Sequence, residues 1–221
     1  MCGRFAIAHI PGMFARFGVR GTTTDFVPRY NIAPSQEVPI IVRESPNKAV
    51  MMRWGFVPFW AKDPKIGNRM INARAETITK SPAFRVSIKS KRCLVPSTGF
   101  YEWKKTGGRK APYYCHLKDD SFFAFAGIYD RWKGAEGLEL VTFTILTTVP
   151  NQLIGTVHDR MPVILNREDE DLWLREEPLE EPELKRLFKP YPSRPLEIYE
   201  VSTDVNSPTN DYRELILPAS G

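Results

Sequence analysis

The sequence predicts an α+β fold of mainly antiparallel β-strands with flanking helices, folded as a single domain over residues 1–221. Strand-like runs outnumber helical stretches, and Gly, Pro or charged turns separate them. No internal repeat, low-complexity tract or long linker divides the chain. A chain of 221 residues, of which 42% are hydrophobic, is long enough to bury one substantial core.

Nine short runs rich in β-branched, aromatic and aliphatic residues predict the strands. They cover residues 38–43, 49–54, 92–95, 99–103, 113–117, 122–129, 138–147, 161–165 and 196–202. Helical periodicity is weaker and predicts short peripheral helices. These cover residues 12–17, 151–154, 168–174 and 182–188, and the last is expected to end before Pro190.

Positive charge is concentrated in one part of the sequence. Residues 43–110 hold 16 Lys or Arg against 4 Asp or Glu, whereas residues 166–221 hold 7 against 14. A groove that binds nucleic acid needs cationic side chains to contact phosphates and aromatic rings to stack on bases. A solvated basic surface over a core rich in aromatic residues would have the same composition. The aromatic residues within the basic region are Trp54, Phe56, Phe59, Trp60, Phe84, Phe100, Tyr101 and Trp103.

Neither a membrane segment nor a metal centre is indicated. No apolar run approaches the roughly 18 residues that span a bilayer, so we expect a soluble, cytoplasmic protein, nucleoid-associated if it is bacterial. The cysteines are Cys2, Cys93 and Cys115, with no CxxC pair, which argues against a disulfide framework and a zinc site. We therefore expect a reducing compartment and no metal or other cofactor.

Cys2 directly follows Met1, and its small side chain is compatible with removal of the methionine. Removal would leave a thiol beside a free α-amine, whose ordinary pKa is about 7.7–8.0 against about 10.4 for lysine. The amine can attack an aldehyde to give a Schiff base, onto which the thiol closes as a five-membered thiazolidine. Arg4 is expected to favour the thiolate. The alternative is that Cys2 is a small hydrophobic residue.

Two residues are candidates for proton transfer. Glu102 lies in the aromatic run 99–103, where desolvation would raise its pKa; alternatively it points outward from its strand. His158 lies between two strand-like runs, where a loop can project it into a cleft as a general acid or base. The alternative for His158 is a turn histidine bonded to backbone.

Asn72 precedes Ala-Arg-Ala-Glu, so it combines a neutral donor and acceptor with the nearby cation of Arg74. That pairing suits a sugar hydroxyl and a phosphate. A helix N-cap is the ordinary explanation for such an asparagine, and both interpretations can hold together.

Eight segments in order along nearly the whole chain resemble the SOS response-associated peptidase (SRAP) family. Each segment alone is weak, but the ordered set is highly specific. They are Met1-Cys-Gly-Arg-Phe5, Arg29-Tyr-Asn-Ile-Ala-Pro34, Met52-Arg-Trp-Gly-Phe-Val-Pro-Phe-Trp60, Asn72-Ala-Arg-Ala-Glu-Thr77, Arg92-Cys-Leu-Val-Pro96, Gly99-Phe-Tyr-Glu-Trp103, His158-Asp-Arg-Met-Pro162 and Val205-Asn-Ser-Pro-Thr-Asn210. A departure occurs at Tyr212 and Arg213, where smaller residues are expected.

The resemblance implies a mainly β fold with a positively charged groove for single-stranded DNA. It implies that Cys2 forms a thiazolidine with the ring-opened aldehyde of an abasic deoxyribose, and that Asn72 binds the opened sugar and the cysteine amine. Glu102 matches the glutamate that assists Schiff-base formation, and His158 matches the histidine that promotes ring opening and reversal. The implied DNA-contacting residues are the phosphate-binding Arg4, Arg74 and Arg160 and the aromatic Trp54 and Trp103.

Three functions compete on this sequence. The leading hypothesis is covalent capture of abasic sites in single-stranded DNA through Cys2 after Met1 removal, by a protein that is expected to be monomeric. The second is a cysteine-type peptidase that cleaves at least the bond before Cys2. The third is a noncatalytic single-stranded DNA-binding protein, which would not need Cys2.

Overall fold

The computed structural model describes residues 2–20, 26–44 and 46–219 of the chain. Within these ranges the strands are β1 (Arg4–Ile7), β2 (Arg29–Ile32), β3 (Glu37–Val42), β4 (Lys48–Trp54), β5 (Asn72–Arg74), β6 (Arg92–Ser97), β7 (Gly99–Thr106), β8 (Arg109–Leu117), β9 (Phe123–Lys133), β10 (Glu139–Thr148), β11 (Met161–Pro162), β12 (Ile164–Leu165) and β13 (Leu196–Glu200). The α-helices are α1 (Met13–Arg16), α2 (Ser87–Ser90), α3 (Glu170–Leu174) and α4 (Glu181–Leu187). None of the helices in the described ranges is long and apolar enough to cross a membrane.

Five strands close into a small barrel in the order β4-β3-β6-β9-β10. The ring closes because β10 pairs with β9 on one side and with β4 on the other. The β9–β10 pairing is antiparallel, whereas β10 runs parallel to β4 and to the short β5. Closure leaves few unpaired backbone edges around the core.

A second sheet, in the order β13-β8-β7-β1-β2, packs beside the barrel. A two-residue turn at Gly107 and Gly108 joins β7 to β8, and both glycines have positive φ, +57° and +83°. This conformation matches the twist of a tight antiparallel hairpin and strongly favours glycine. The turn therefore fixes the register that places Glu102 opposite Tyr113.

Aromatic side chains join the second sheet to the barrel. The ring of Phe125 on β9 lies 5.9 Å from the ring of Phe5 on β1 and 5.9 Å from that of Phe100 on β7, both edge to face. All three residues are fully buried, and burial of such a side chain contributes roughly 1.5–3 kcal/mol. This contact fixes β1, and with it the segment that begins at Cys2, against the barrel wall.

The predicted fold class is confirmed, with every predicted strand run present in the structure. The run at 161–165 divides into β11 and β12 at Val163, because this residue bonds to two different strands. Its N–H donates to the carbonyl of Leu146 on β10, and its carbonyl accepts from the N–H of Ala126 on β9. The helical prediction at 151–154 is wrong in its bounds, since the 3-10 turn spans Ile154–Thr156. Asn72 is a residue of β5 and not a helix N-cap.

Replacing Gly99 with Ala is expected to lower the free energy of unfolding by about 1–3 kcal/mol. A Cβ at Gly99 would lie 2.2 Å from the Cζ and Oη atoms of Tyr114, a buried ring that packs against Tyr101. Urea denaturation measures the effect. The matched control is Gly155→Ala, where the nearest atom to a Cβ is Pro150 Cγ at 3.8 Å. Equal unfolding midpoints for the two variants would contradict this packing.

Candidate functional site

Cys2 lies two residues before the start of β1, and its side chain is fully buried. β1 pairs antiparallel with β7 so that Phe5 lies opposite Phe100. Since side chains alternate along a strand, Glu102 shares the inward face of Phe100. The strand pairing thus brings the segment before β1 close to Glu102.

Asn72 reaches the same place from the barrel. It lies on β5 opposite Ile145 of β10, and its Nδ2 donates a hydrogen bond of 2.8 Å to the carbonyl oxygen of Cys2. The other amide atom, Oδ1, is buried and accepts no hydrogen bond from any described residue. One end of the amide therefore holds the Cys2 backbone, and the other end keeps an acceptor for a further donor.

Glu102 and His158 approach each other at this point, with Glu102 Oε2 3.7 Å from His158 Nε2. The two side chains, with Cys2 and Asn72, are called the Cys2 site below. Glu102 is 3% exposed, and burial raises its pKa to about 7. Partial burial lowers the pKa of His158. The predicted increase in the Glu102 pKa is confirmed, and this carboxyl group is poised to give and to accept a proton near neutral pH.

The tautomer of His158 follows from its other ring nitrogen. The backbone N–H of Arg160 donates to His158 Nδ1 at 3.0 Å, which requires a lone pair on Nδ1. Asp159 Oδ1 lies 2.9 Å from the same nitrogen and would require a proton there. We assign the lone pair to Nδ1 on the basis of the hydrogen bond from the Arg160 N–H. The Asp159 carboxylate competes weakly because its side chain is 89% exposed to solvent, and the lowered pKa of His158 favours a neutral ring. Neutral His158 therefore carries its proton on Nε2, facing Glu102.

The expectation that Arg4 favours the Cys2 thiolate is wrong. Strand alternation points Arg4 away from Glu102, and its guanidinium donates to Asn31 Oδ1 at 2.8 Å and to the Val205 carbonyl at 2.7 Å. Burial, followed by the charge of Glu102, raises the pKa of the Cys2 thiol well above its ordinary value. The thiol is therefore protonated at neutral pH.

Sequence reasoning missed Asn31, a fully buried residue of β2 that connects Arg4 to the loop at residues 205–210. Its Nδ2 donates to the carbonyls of Val205, Ser207 and Asn210, at 3.2, 3.0 and 2.7 Å. The signal for it was present, since residues 29–34 and 205–210 are both among the segments that carry the resemblance. Trp103 contacts the same loop, donating from Nε1 to Asn206 Oδ1 at 2.7 Å.

The structure removes Trp54 from the predicted DNA-contacting residues. Trp54 is fully buried, its Nε1 donates to the Ile71 carbonyl at 2.8 Å, and its ring lies 5.2 Å from that of Phe5. A ring enclosed in this way has no face for a base. The exposed aromatic residues of the same segment are Phe59 and Trp60, at 52% and 50%.

The three predicted phosphate-binding arginines differ in their surroundings. Arg74, at the end of β5, is exposed. Arg4 is half-buried, with the partners given above. Arg160 is 14% exposed and forms a two-oxygen ion pair with Glu76, at 2.6 and 3.0 Å. Of the three arginines, Arg74 is thus the most available to a ligand.

Side chains that can bind metals are scattered, not clustered, in the part of the chain that the structure describes. No three His, Cys, Asp or Glu side chains in these ranges come together as a metal site, and Cys2, Cys93 and Cys115 are buried free thiols.

Replacing Glu102 with Gln is expected to stabilise the protein at alkaline pH. A buried carboxyl with a folded pKa of about 7 and an ordinary pKa of 4.5 binds more protons in the folded state, so stability falls as pH rises between these values. Above pH 7 the variant should unfold with a free energy higher by on the order of 3 kcal/mol, and below pH 4.5 the gap should close. Urea denaturation across pH 4–8.5 measures this. A gap independent of pH would contradict the burial of an ionisable Glu102.

Comparison with known proteins identifies the family of the chain. Residues 1–208 match the family model described as SOS response associated peptidase (SRAP). The chain is 44% identical to the abasic site processing protein YoqW of Bacillus subtilis, over 98% of this chain and 99% of that protein. It is 32% identical to the abasic site processing protein HMCES of Gallus gallus, over 86% of this chain and 66% of that protein. A crystal structure of a protein from Bacteroides thetaiotaomicron superimposes with a TM-score of 0.90 at 33% identity, covering 99% of this chain and all of the other. The chain belongs to the SOS response associated peptidase family.

Proposed function

We propose that this protein processes abasic sites in single-stranded DNA by covalent capture through Cys2, after Met1 has been removed. The observation that carries the proposal is the proximity of four side chains: Asn72 binds the Cys2 carbonyl, Glu102 lies close enough to Cys2 to raise its pKa, and His158 lies 3.7 Å from Glu102. The names of the relatives from Bacillus subtilis and Gallus gallus, abasic site processing proteins, support the substrate class. Met1 lies outside the described residues, and its removal is a requirement of the proposal.

The reaction needs an aldehyde and the two nucleophiles of an N-terminal cysteine. The α-amine of Cys2 attacks C1′ of the ring-opened deoxyribose, and the resulting carbinolamine loses water to give a Schiff base. The sulfur then bonds to the same carbon while the thiol proton passes to the nitrogen, which closes the thiazolidine. One water is released and nothing is oxidised or reduced.

Glu102 is suited to both proton transfers of this sequence. With a pKa raised to about 7 it is partly protonated near neutral pH, so it can give a proton to the departing carbinolamine hydroxyl. The carboxylate that results lies near the Cys2 thiol, whose pKa it helps to raise, and it can accept the thiol proton during ring closure. A carboxyl group in water, with a pKa near 4.3, would be a poor acid for the first step.

His158 and Asn72 act on the sugar in this proposal. Ring opening removes a proton from the C1′ hydroxyl and gives one to the ring oxygen, a task for a neutral imidazole whose lowered pKa leaves it unprotonated. Asn72 Nδ2 fixes the Cys2 carbonyl, and its Oδ1 is available to accept from the amine or from a sugar hydroxyl. The amide thereby orients the amine toward C1′.

The DNA strand would lie across the basic region that the sequence indicated. Arg74 is exposed two residues after Asn72, and Trp103 is partly exposed next to Asn206. Phe59 and Trp60 replace Trp54 as the rings open to bases, since stacking needs an exposed face. Arg4 and Arg160 remain proposed phosphate contacts at the edges, with part of their hydrogen-bonding capacity already used.

The peptidase alternative gains less from the geometry. A cysteine peptidase attacks with a thiolate, generally stabilised by a cationic neighbour. Here burial and Glu102 both raise the pKa of the Cys2 thiol. The noncatalytic binder, in turn, gives no reason to bury a carboxyl group against a cysteine and a histidine at the cost of stability.

Replacing Cys2 with Ala is expected to abolish a DNA adduct that survives denaturing gel electrophoresis, because no thiol remains to close the ring. Cys2→Ser should give only a weaker adduct that borohydride reduction traps, since a hydroxyl closes the ring less readily. The assay uses protein whose Met1 removal is confirmed by mass, with matched single-stranded oligonucleotides with and without one abasic site.

Two outcomes would overturn the proposal. A serine variant whose adduct is as stable as that of the wild type would exclude the thiazolidine, and an adduct that forms without the abasic site would exclude the aldehyde chemistry. Cys93→Ala is the matched control, because Cys93 is also a fully buried free thiol but lies on β6 of the barrel. It should form the adduct at the wild-type level.

Replacing Arg74 with Ala is expected to reduce the slope of log K against log salt concentration for single-stranded DNA by about 0.7, the value for loss of one phosphate contact. The measurement is fluorescence anisotropy at several salt concentrations, in the Cys2→Ala background so that only reversible binding is observed. Lys185→Ala is the control, because it removes one charge from α4, where Lys185 pairs with Glu181. Equal slopes for the two variants would remove Arg74 from the DNA contact.

A further inference from the structure

Glu76 lies outside the residues that the reaction uses, yet it connects two of them. It belongs to the 3-10 turn Ala75–Thr77, directly after the strand that carries Asn72. Its two carboxylate oxygens accept hydrogen bonds from Nη1 and Nη2 of Arg160, at 2.6 and 3.0 Å. Because Arg160 is two residues from His158, this ion pair joins the segment of Asn72 to the segment of His158.

The Arg160 guanidinium is fixed from a second direction as well. Its Nη2 donates to the carbonyl of Thr147 at 2.6 Å and lies 3.2 Å from the Thr147 hydroxyl, at the end of β10. A two-oxygen contact with a planar guanidinium defines orientation as well as distance. The Arg160 side chain is 14% exposed and that of Glu76 is 45% exposed, so the guanidinium is enclosed while its carboxylate partner stays in contact with solvent.

The backbone of Arg160 carries this constraint to the imidazole. Its N–H donates to His158 Nδ1 at 3.0 Å and so keeps the proton of the neutral ring on Nε2, which lies 3.7 Å from Glu102 Oε2. If the Arg160 backbone moves, the Asp159 carboxylate, 2.9 Å from Nδ1, can draw the proton to that nitrogen instead. The position of residue 160 thus selects between two tautomers.

We propose that Glu76 is a positioning residue of the Cys2 site, which holds Arg160 so that its backbone N–H keeps His158 in the Nε2–H tautomer facing Glu102. The inference rests on the proposed function in assigning a reactive role to His158, but the tautomer itself is a property of the protein without DNA. Glu76 contacts no reacting atom, and its effect passes through Arg160.

The direct test is the ring-nitrogen chemical shifts of His158 in ¹⁵N NMR, at a pH above 8 where the ring is neutral. The wild type should show a protonated Nε2 and an unprotonated Nδ1. In Glu76→Ala and Glu76→Gln both signals should move toward a mixture of tautomers. Unchanged shifts in both variants would overturn the proposal.

The kinetic test follows adduct formation on an abasic oligonucleotide. Glu76→Ala should lower the rate at saturating DNA about tenfold, while the half-saturating DNA concentration does not rise, because a negative charge near the DNA has been removed. A higher half-saturating concentration with an unchanged maximal rate would assign Glu76 to DNA binding and overturn the positioning role. If the alanine variant fails to fold, Glu76→Gln decides both tests.

Glu183→Ala is the matched control. Glu183, in the first turn of α4 and distant in sequence from the site, forms the same two-oxygen ion pair with Arg175, at 2.9 and 2.7 Å, and also accepts from the Glu180 N–H. Its loss should change neither the His158 shifts nor the rate. Absence of any adduct in the wild type would refute the proposed function, while the NMR result would still decide the role of Glu76.

Discussion

Strand β10 is the element on which the rest of the structure depends. It forms hydrogen-bonded pairs with β9, β4, β5 and β11, and two of these pairings are parallel. Parallel neighbours cannot be joined by a tight turn, so they bring distant parts of the chain together. Pairing with β5 places Asn72 within hydrogen-bonding distance of the Cys2 carbonyl. Near the end of β10, the Thr147 carbonyl accepts a hydrogen bond from the Arg160 guanidinium. The site is therefore assembled at the seam where the barrel closes.

This assembly places a carboxyl group where it lowers the stability of the fold. Glu102 is 3% exposed, and burial favours its neutral form over its charged form. Ionisation of Glu102 near pH 7 therefore lowers the free energy of unfolding. The aromatic contacts of Phe125 with Phe5 and Phe100 offset this cost, since they bury large apolar surfaces beside the site. A stable barrel wall thus permits a reactive group that an isolated hairpin would not retain.

The sequence was informative about strands and less so about which side chains face outward. Alternating runs predicted the long strands and the fold class, and an acid among aromatic residues predicted the raised pKa of Glu102. Trp54 and Trp60 belong to the same aromatic segment, and local pattern does not show that β4 ends at Trp54 with its ring enclosed. β5 has only three residues, which is too short to show the alternation of buried and exposed side chains that marks a strand. The hydrogen bonds of Asn31 depend on a loop more than 170 residues away, which no local pattern indicates.

The unexpected state of Cys2 constrains the order of the proposed chemistry. A buried thiol whose pKa is raised by burial and by Glu102 is a weak nucleophile, so it would not react first with an aldehyde. The α-amine of a processed N-terminus, with an ordinary pKa near 8, has the larger reactive fraction near neutral pH. Once the amine has bonded, the thiol meets the imine carbon within one molecule, where effective concentrations can reach about 10⁵ M and above. A protonated thiol is then sufficient if a neighbouring carboxylate takes its proton, and Glu102 is in place to do so. In the proposed mechanism, the burial that makes Cys2 a poor general nucleophile therefore limits the thiol to substrates that the amine has already captured.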